Sequence, residues 1–158
     1  DLIQPMHGIK DLLKWLKKHD YKIATVSTRE RASIVELLEH AHLIQYFDVI
    51  IGGKKSNTVD TDGLFMALRL LDAKSCVYIS DSSADIMVGK DAGVFTVGFA
   101  SNADKAKAIV EERPDFATAD LMQVKKLLKG EALWLAYDIH YPQENSETKK
   151  KVKKDRRK

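Results

Sequence analysis

Short apolar runs rich in β-branched residues alternate with amphipathic stretches from residue 8 to residue 128, and this alternation constrains the fold more than any other feature. Residues 8–19 set Ile9, Leu12, Leu13 and Leu16 at helical spacing with lysines opposite, which predicts a helix. Residues 21–27 (Tyr-Lys-Ile-Ala-Thr-Val-Ser), 47–51 (Phe-Asp-Val-Ile-Ile), 75–80 (Ser-Cys-Val-Tyr-Ile-Ser) and 94–97 (Val-Phe-Thr-Val) are short and mostly apolar. That is how strands of a parallel sheet covered on both faces read. Helices are predicted between them near 29–42, 62–71, 84–92 and 103–112, and a short extension at Phe116-Ala117 precedes a last helix near 121–128. The order predicts an α/β, Rossmann-like fold: a parallel sheet with helices on both faces, joined by right-handed crossovers. Ligands of such sheets bind at the carboxyl ends of the strands, and the chemistry-bearing residues lie there.

The chain of 158 residues is 44% hydrophobic and 31% charged, which excludes a disordered or fibrous class and suits one globular core. No apolar run approaches the ~20 residues that cross a bilayer, so no transmembrane segment is expected. No leader is read at the start, and the single cysteine, Cys76, lies in an apolar run as a buried thiol would. Both point to a reducing, cytoplasmic setting. The formal charge of +3 is uneven: residues 149–158 hold eight Lys or Arg and one Asp, leaving 18 basic and 22 acidic residues before them. Residues 1–130 are therefore expected to form the core domain, 131–148 a C-terminal extension and 149–158 a disordered basic tail. The tail suits nucleic acid, an anionic surface or simple solubility, and its lack of aromatic residues argues against base stacking.

The most informative string is Val77-Tyr-Ile-Ser-Asp-Ser-Ser-Ala-Asp-Ile-Met-Val-Gly-Lys-Asp-Ala-Gly93. An apolar strand delivers Asp81 to its end, and Asp85 follows one helical turn later. Two hard oxygen donors at a strand's carboxyl end suit Mg²⁺, which takes one or two carboxylates together with phosphate oxygens. The competing reading is that the two acids cap the helix that follows.

Here the chain resembles the haloacid dehalogenase-like (HAD) phosphohydrolases, and within them the phosphoglycolate phosphatase-like group. That family follows a hydrophobic strand with Gly-Asp-Ser/Thr, a second Asp four residues on and a closing Ala-Gly. Ser80 stands where the family has Gly. Upstream, Lys22-Ile-Ala-Thr-Val-Ser-Thr-Arg29 resembles the strand ending in the family's phosphate-binding hydroxyl, which Ser27 supplies, with Thr28 and Arg29 after it. Pro5-Met-His-Gly8, Tyr46-Phe-Asp-Val-Ile-Ile-Gly-Gly53 and Asp115-Phe-Ala-Thr-Ala-Asp120 are similar to the family's first helix entry, third strand and closing strand. The resemblance spans about residues 5–130. It implies hydrolysis of a small phosphomonoester through an aspartyl-phosphate, with Asp81 and Asp85 supporting Mg²⁺ and Ser27, Thr28 and Arg29 holding phosphate. Capping of the next helix is the competing role for Ser27.

Two departures accompany the resemblance. The family's lysine, in a Lys-Pro-x-Pro-Asp stretch, aligns with Thr58; Lys54 or Lys55 could reach in from the same loop, or stay solvated. The family's nucleophile, the first Asp of Asp-x-Asp at the end of a central strand, belongs ahead of residue 1 by a cap domain's length. Without that strand, the strands ending at Ser27 and Ser80 are expected to have unpaired edges. Two internal strings resemble the nucleophile motif. Asp60-Thr-Asp-Gly63 reads better as a turn and helix start, whereas Ala132-Leu-Trp-Leu-Ala-Tyr-Asp-Ile-His140 ends an apolar run at Asp138. Were that run a strand in the central position, the fold would be a circular permutation with Asp138 as nucleophile. Otherwise it is a helix face or a packing extension. A catalytically inactive phosphate- or partner-binding module of the same fold remains the alternative to the enzyme, and tail-driven nucleic-acid binding a third reading.

Overall fold

In a computed structural model of the chain, the described residues are 4–53 and 59–130, together with the backbone of 137 and 138. They form α1 (Ile9–Lys18), β1 (Ala24–Val26), α2 (Arg31–His40), a 3₁₀ turn (Ile44–Tyr46) and β2 (Val49–Ile51). Then come α3 (Thr61–Leu70), β3 (Val77–Ser80), α4 (Ser83–Asp91), β4 (Phe95–Phe99), α5 (Ala103–Glu111), β5 (Phe116–Thr118), α6 (Leu121–Leu128) and β6 (Tyr137–Asp138). Every strand pair is parallel, so the fold is the expected α/β, Rossmann-like alternation.

The strands fall into two sheets, β1-β2 and β3-β4-β5-β6. Among the described residues, β1 pairs only with β2, in register from Ala24–Val49 to Val26–Ile51, and β3 only with β4, from Val77–Phe95 to Ser80–Gly98. Burial follows this split. Thr96 to Phe99 of β4 and all of β5 are buried, whereas every residue of β1 is only half-buried and Ile79 of β3 is 36% exposed. Strands at the centre of a helix-covered parallel sheet are normally the most buried, so β1 and β3 behave as edges.

Helices join the halves. Leu12 of α1 packs with Val97, Phe99, Phe116, Leu121 and Val124 of the larger half, and its neighbour Leu13 packs with Ile23 and Leu43 of the smaller. One helix thus supplies adjacent side chains to both cores. α3 packs on β1 and β2 and also on α4. Asp60 is its N-cap, its carboxylate accepting the Gly63 N–H at 2.9 Å, so the Asp60-Thr-Asp-Gly63 string is a helix start.

β6 bears on one of the alternatives left open for the run before Asp138. Tyr137 and Asp138 pair with Ala117 and Thr118 of β5, at the outer edge of the larger sheet and not between β1 and β3. The chain leaves β5, runs through α6 and returns beside the strand it left, the ordinary outcome of a β–α–β unit. The backbone at these two residues runs beside β5, so among the described residues Asp138 does not end a strand between β1 and β3. Lys54, Lys55, Thr58 and the tail 149–158 lie outside the described residues.

Two aspartates tie strand starts to their neighbours. Asp115 accepts the Thr96 N–H at 2.7 Å and its hydroxyl at 3.0 Å, linking β4 to β5. Asp48 accepts the Ile23 N–H at 2.7 Å and the Lys17 ammonium at 2.8 Å. Burial pushes the Asp48 carboxyl up, but the Lys17 ammonium and the Ile23 N–H outweigh it and leave it below its usual value. A carboxyl lowered on folding adds stability above its unfolded value and loses it as pH falls through the folded one. Urea unfolding should therefore show Asp48→Asn less stable near neutrality, by less than about 1 kcal/mol for so exposed a pair, with a shallower loss below pH ~4. A second test concerns Gly89 of α4, where an added Cβ would meet Thr96 Cγ2 at 2.6 Å and Tyr78 Cδ1 at 2.8 Å. Helix propensity favours alanine by about 1 kcal/mol, but overpacking costs about 1–3 kcal/mol, so Gly89→Ala should lower the unfolding midpoint.

Candidate active site

The carboxyl end of β3 carries the acidic pair. Ser82 is the N-cap of α4, its hydroxyl accepting the Asp85 N–H at 3.4 Å. Capping therefore belongs to Ser82, and neither acid is spent on it. The half-buried Asp85 carboxylate accepts the Ser80 hydroxyl at 2.9 Å, while Ser80 Oγ also accepts the Ser82 N–H at 3.2 Å. Asp81 is exposed and forms an ion pair with the Lys105 ammonium, which reaches over from the first turn of α5. Ser80, at the position where glycine was expected, is thus an organising residue of the loop.

Burial comes first, and the Asp85 charge second, in pushing the Tyr78 phenol far above its ordinary range, so Tyr78 stays protonated under the site. Cys76 is half-buried and not buried as expected, and that burial pushes its thiol up.

The carboxyl end of β1 carries the second loop. Ser27 donates its N–H to the Ile51 carbonyl at 3.0 Å, and its hydroxyl accepts the Arg29 N–H at 3.2 Å. Its role is to hold this turn and not to cap α2, whose N-cap is Glu30 with no side-chain bond. Thr28 is half-buried and Arg29 exposed. Gly52 and Gly53 clamp the loop from β2. A Cβ at Gly52 would lie 2.6 Å from the Arg29 carbonyl, and Gly53, at φ 86°, donates its N–H to that carbonyl at 2.7 Å. The structure therefore sets Ser27, Thr28 and Arg29 at the end of β1 and Ser80, Asp81, Asp85 and Lys105 around the end of β3.

Sequence reasoning missed Lys105. Its one local signal is a lysine in the first turn of a helix, where the macrodipole disfavours a cation.

Residues 1–99 match the haloacid dehalogenase-like hydrolase family. The chain belongs to that family. Its similarity runs to the phosphoglycolate phosphatase-like group: a phosphoglycolate phosphatase of Pseudomonas fluorescens is 30% identical over 127 residues, 78% of this chain and 46% of that protein. Pyrophosphatase PpaX of Listeria welshimeri is 31% identical over 135 residues, 83% of this chain and 62% of that protein. A haloacid dehalogenase-like family hydrolase from Streptococcus pneumoniae shares the fold, with a TM-score of 0.70 at 17% identity over 79% of this chain and 60% of that one. The chain thus spans about half to three-fifths of the length of these relatives. Among the described residues, no helix is long and apolar enough to cross a membrane.

The cap assignment is open to a stability test. Ser82→Ala removes the acceptor for the Asp85 N–H and should cost about 1 kcal/mol in urea unfolding, while Ser82→Asp should restore most of it.

Proposed function

We propose that this chain carries the phosphate- and metal-binding half of a haloacid dehalogenase-type phosphatase site acting on a small phosphomonoester. What carries the reading is that the two loops expected from the family's motifs end β1 and β3, and that each of these strands pairs with a single neighbour among the described residues, leaving an edge on which a further strand could pair. The family's nucleophile strand belongs between these strands. An aspartate at its end would attack phosphorus and displace the alcohol, forming an aspartyl-phosphate that water then hydrolyses.

The donor set fits Mg²⁺. Asp81 and Asp85 are hard oxygen donors four residues, about one helical turn, apart in sequence. Among the described residues, no three His, Cys, Asp or Glu cluster to hold a metal alone. Phosphate oxygens and water would complete the shell, the usual manner of Mg²⁺, and the bound ion would neutralise phosphoryl charge. Ser27 would donate its hydroxyl proton to a phosphoryl oxygen while accepting from Arg29 N–H. Thr28 adds a second hydroxyl and Arg29 a nearby positive charge, and in-line transfer depends chiefly on such positioning and charge balance. Lys55 remains a candidate for the charge-balancing lysine, and the setting is proposed to be cytoplasmic. The inactive binding module keeps one point in its favour: Thr58 stands where the resemblance places that lysine.

Calorimetric titration with inorganic phosphate tests the site without requiring turnover. The 158-residue chain should bind phosphate more tightly with Mg²⁺ present, and Ser27→Ala and Asp81→Asn should each weaken that binding roughly tenfold or more. Affinity indifferent to Mg²⁺ and to both substitutions would contradict the reading. In a p-nitrophenyl phosphate assay, Asp138→Asn should leave any turnover unchanged, because β6 lies at the outer edge; loss of turnover would restore Asp138 as a nucleophile.

A further inference from the structure

We propose that Lys105 is a resident counterion for Asp81 that a divalent cation must displace, with the Ser80 hydroxyl holding Asp85 in the same resting state; the inference rests on the reading that these two acids take Mg²⁺. Three observations carry it. The Lys105 ammonium pairs directly with the Asp81 carboxylate, joining the first turn of α5 to the end of β3. Lys105 holds that place against the α5 macrodipole, in a turn already capped by Asn102, whose side chain accepts the Lys105 N–H at 2.9 Å. Local helix energetics therefore favour another residue, and what the lysine gains is the carboxylate. Finally, Asp85 is engaged as well, by Ser80 at 2.9 Å, so both proposed ligands are satisfied by the chain itself.

The arrangement has a consequence for metal affinity. The two side chains of the ion pair are 43% and 45% exposed, which places the pair among weak, solvent-screened ones that a cation can open. An incoming divalent ion must remove the ammonium from Asp81 and tolerate its charge nearby, so the chain lowers its own metal affinity. Lysine and metal are alternative partners of one carboxylate, and the site loads only as metal concentration rises.

Titration of the full chain with Mn²⁺, read by electron paramagnetic resonance of the free ion, tests this without any assay of activity. Lys105→Gln should lower the Mn²⁺ Kd about two- to fivefold, the range expected for release of an exposed ion pair, and Lys105→Arg should restore the parent value. Asp81→Asn should abolish the tight phase in either background. Equal Kd for parent and Lys105→Gln, with loss in Asp81→Asn, would overturn the counterion and leave the metal reading standing. Binding that ignores Asp81→Asn would overturn both. Unchanged Mn²⁺ affinity with weakened inorganic phosphate binding in Lys105→Gln would assign the lysine to the anion and also overturn the inference.

Discussion

The structure depends on helices bridging two cores that no strand pairing joins among the described residues, and α1 does so through adjacent side chains. Leu12 and Leu13 of α1 are consecutive residues, yet one enters the β4-β5 core and the other the core around Ile23 and Leu43. Their burial holds β1 and β3 in one molecule although each of these strands pairs with a single neighbour among the described residues. The price is visible in exposure, since β1 and β3 are half-buried while β4 and β5, farther from the division, are buried. An open strand edge is ordinarily a hazard that proteins cover or charge. Here the two loops that carry the proposed chemistry lie at the carboxyl ends of the strands that own those edges.

The chemistry follows from what each hydroxyl and carboxylate already does. Ser82 takes the capping duty that would otherwise occupy the acids, and Ser80 turns a family glycine position into a hydrogen-bond donor for Asp85. Ser27 holds its own loop through Arg29 N–H, while Gly52 lets β2 approach that loop more closely than any side chain would allow. Each loop is thus held by hydrogen bonds within the chain itself.

Much of this was legible from residue order. The apolar runs at 21–27, 47–51 and 75–80 mark β1, β2 and β3, because parallel strands covered on both faces leave no polar alternation to confuse them. The unpaired edges followed from the motif order, and the helix start at Asp60 from its acid three residues before Gly63. What escaped depends on distant contacts. Lys105 and Asp81 are 24 residues apart in sequence, and nothing local to either names the other. The apolar run before Asp138 leaves a central strand, a helix face and a packing extension open, since the pairing of Tyr137 and Asp138 with β5 joins residues about 20 apart in sequence. Cys76 sits in an apolar run yet is half-buried, because it precedes a strand with one open edge.

Amide hydrogen exchange on the 158-residue chain tests the divided sheet most directly. Amides of β1 and β3 that do not bond to β2 or β4 should exchange at rates near those of exposed loops, while β4 and β5 remain protected close to the global unfolding limit. Uniformly slow exchange through β1 and β3, equal to that of β4 and β5, would mean that their edges are paired, and would contradict the account of both the fold and the site.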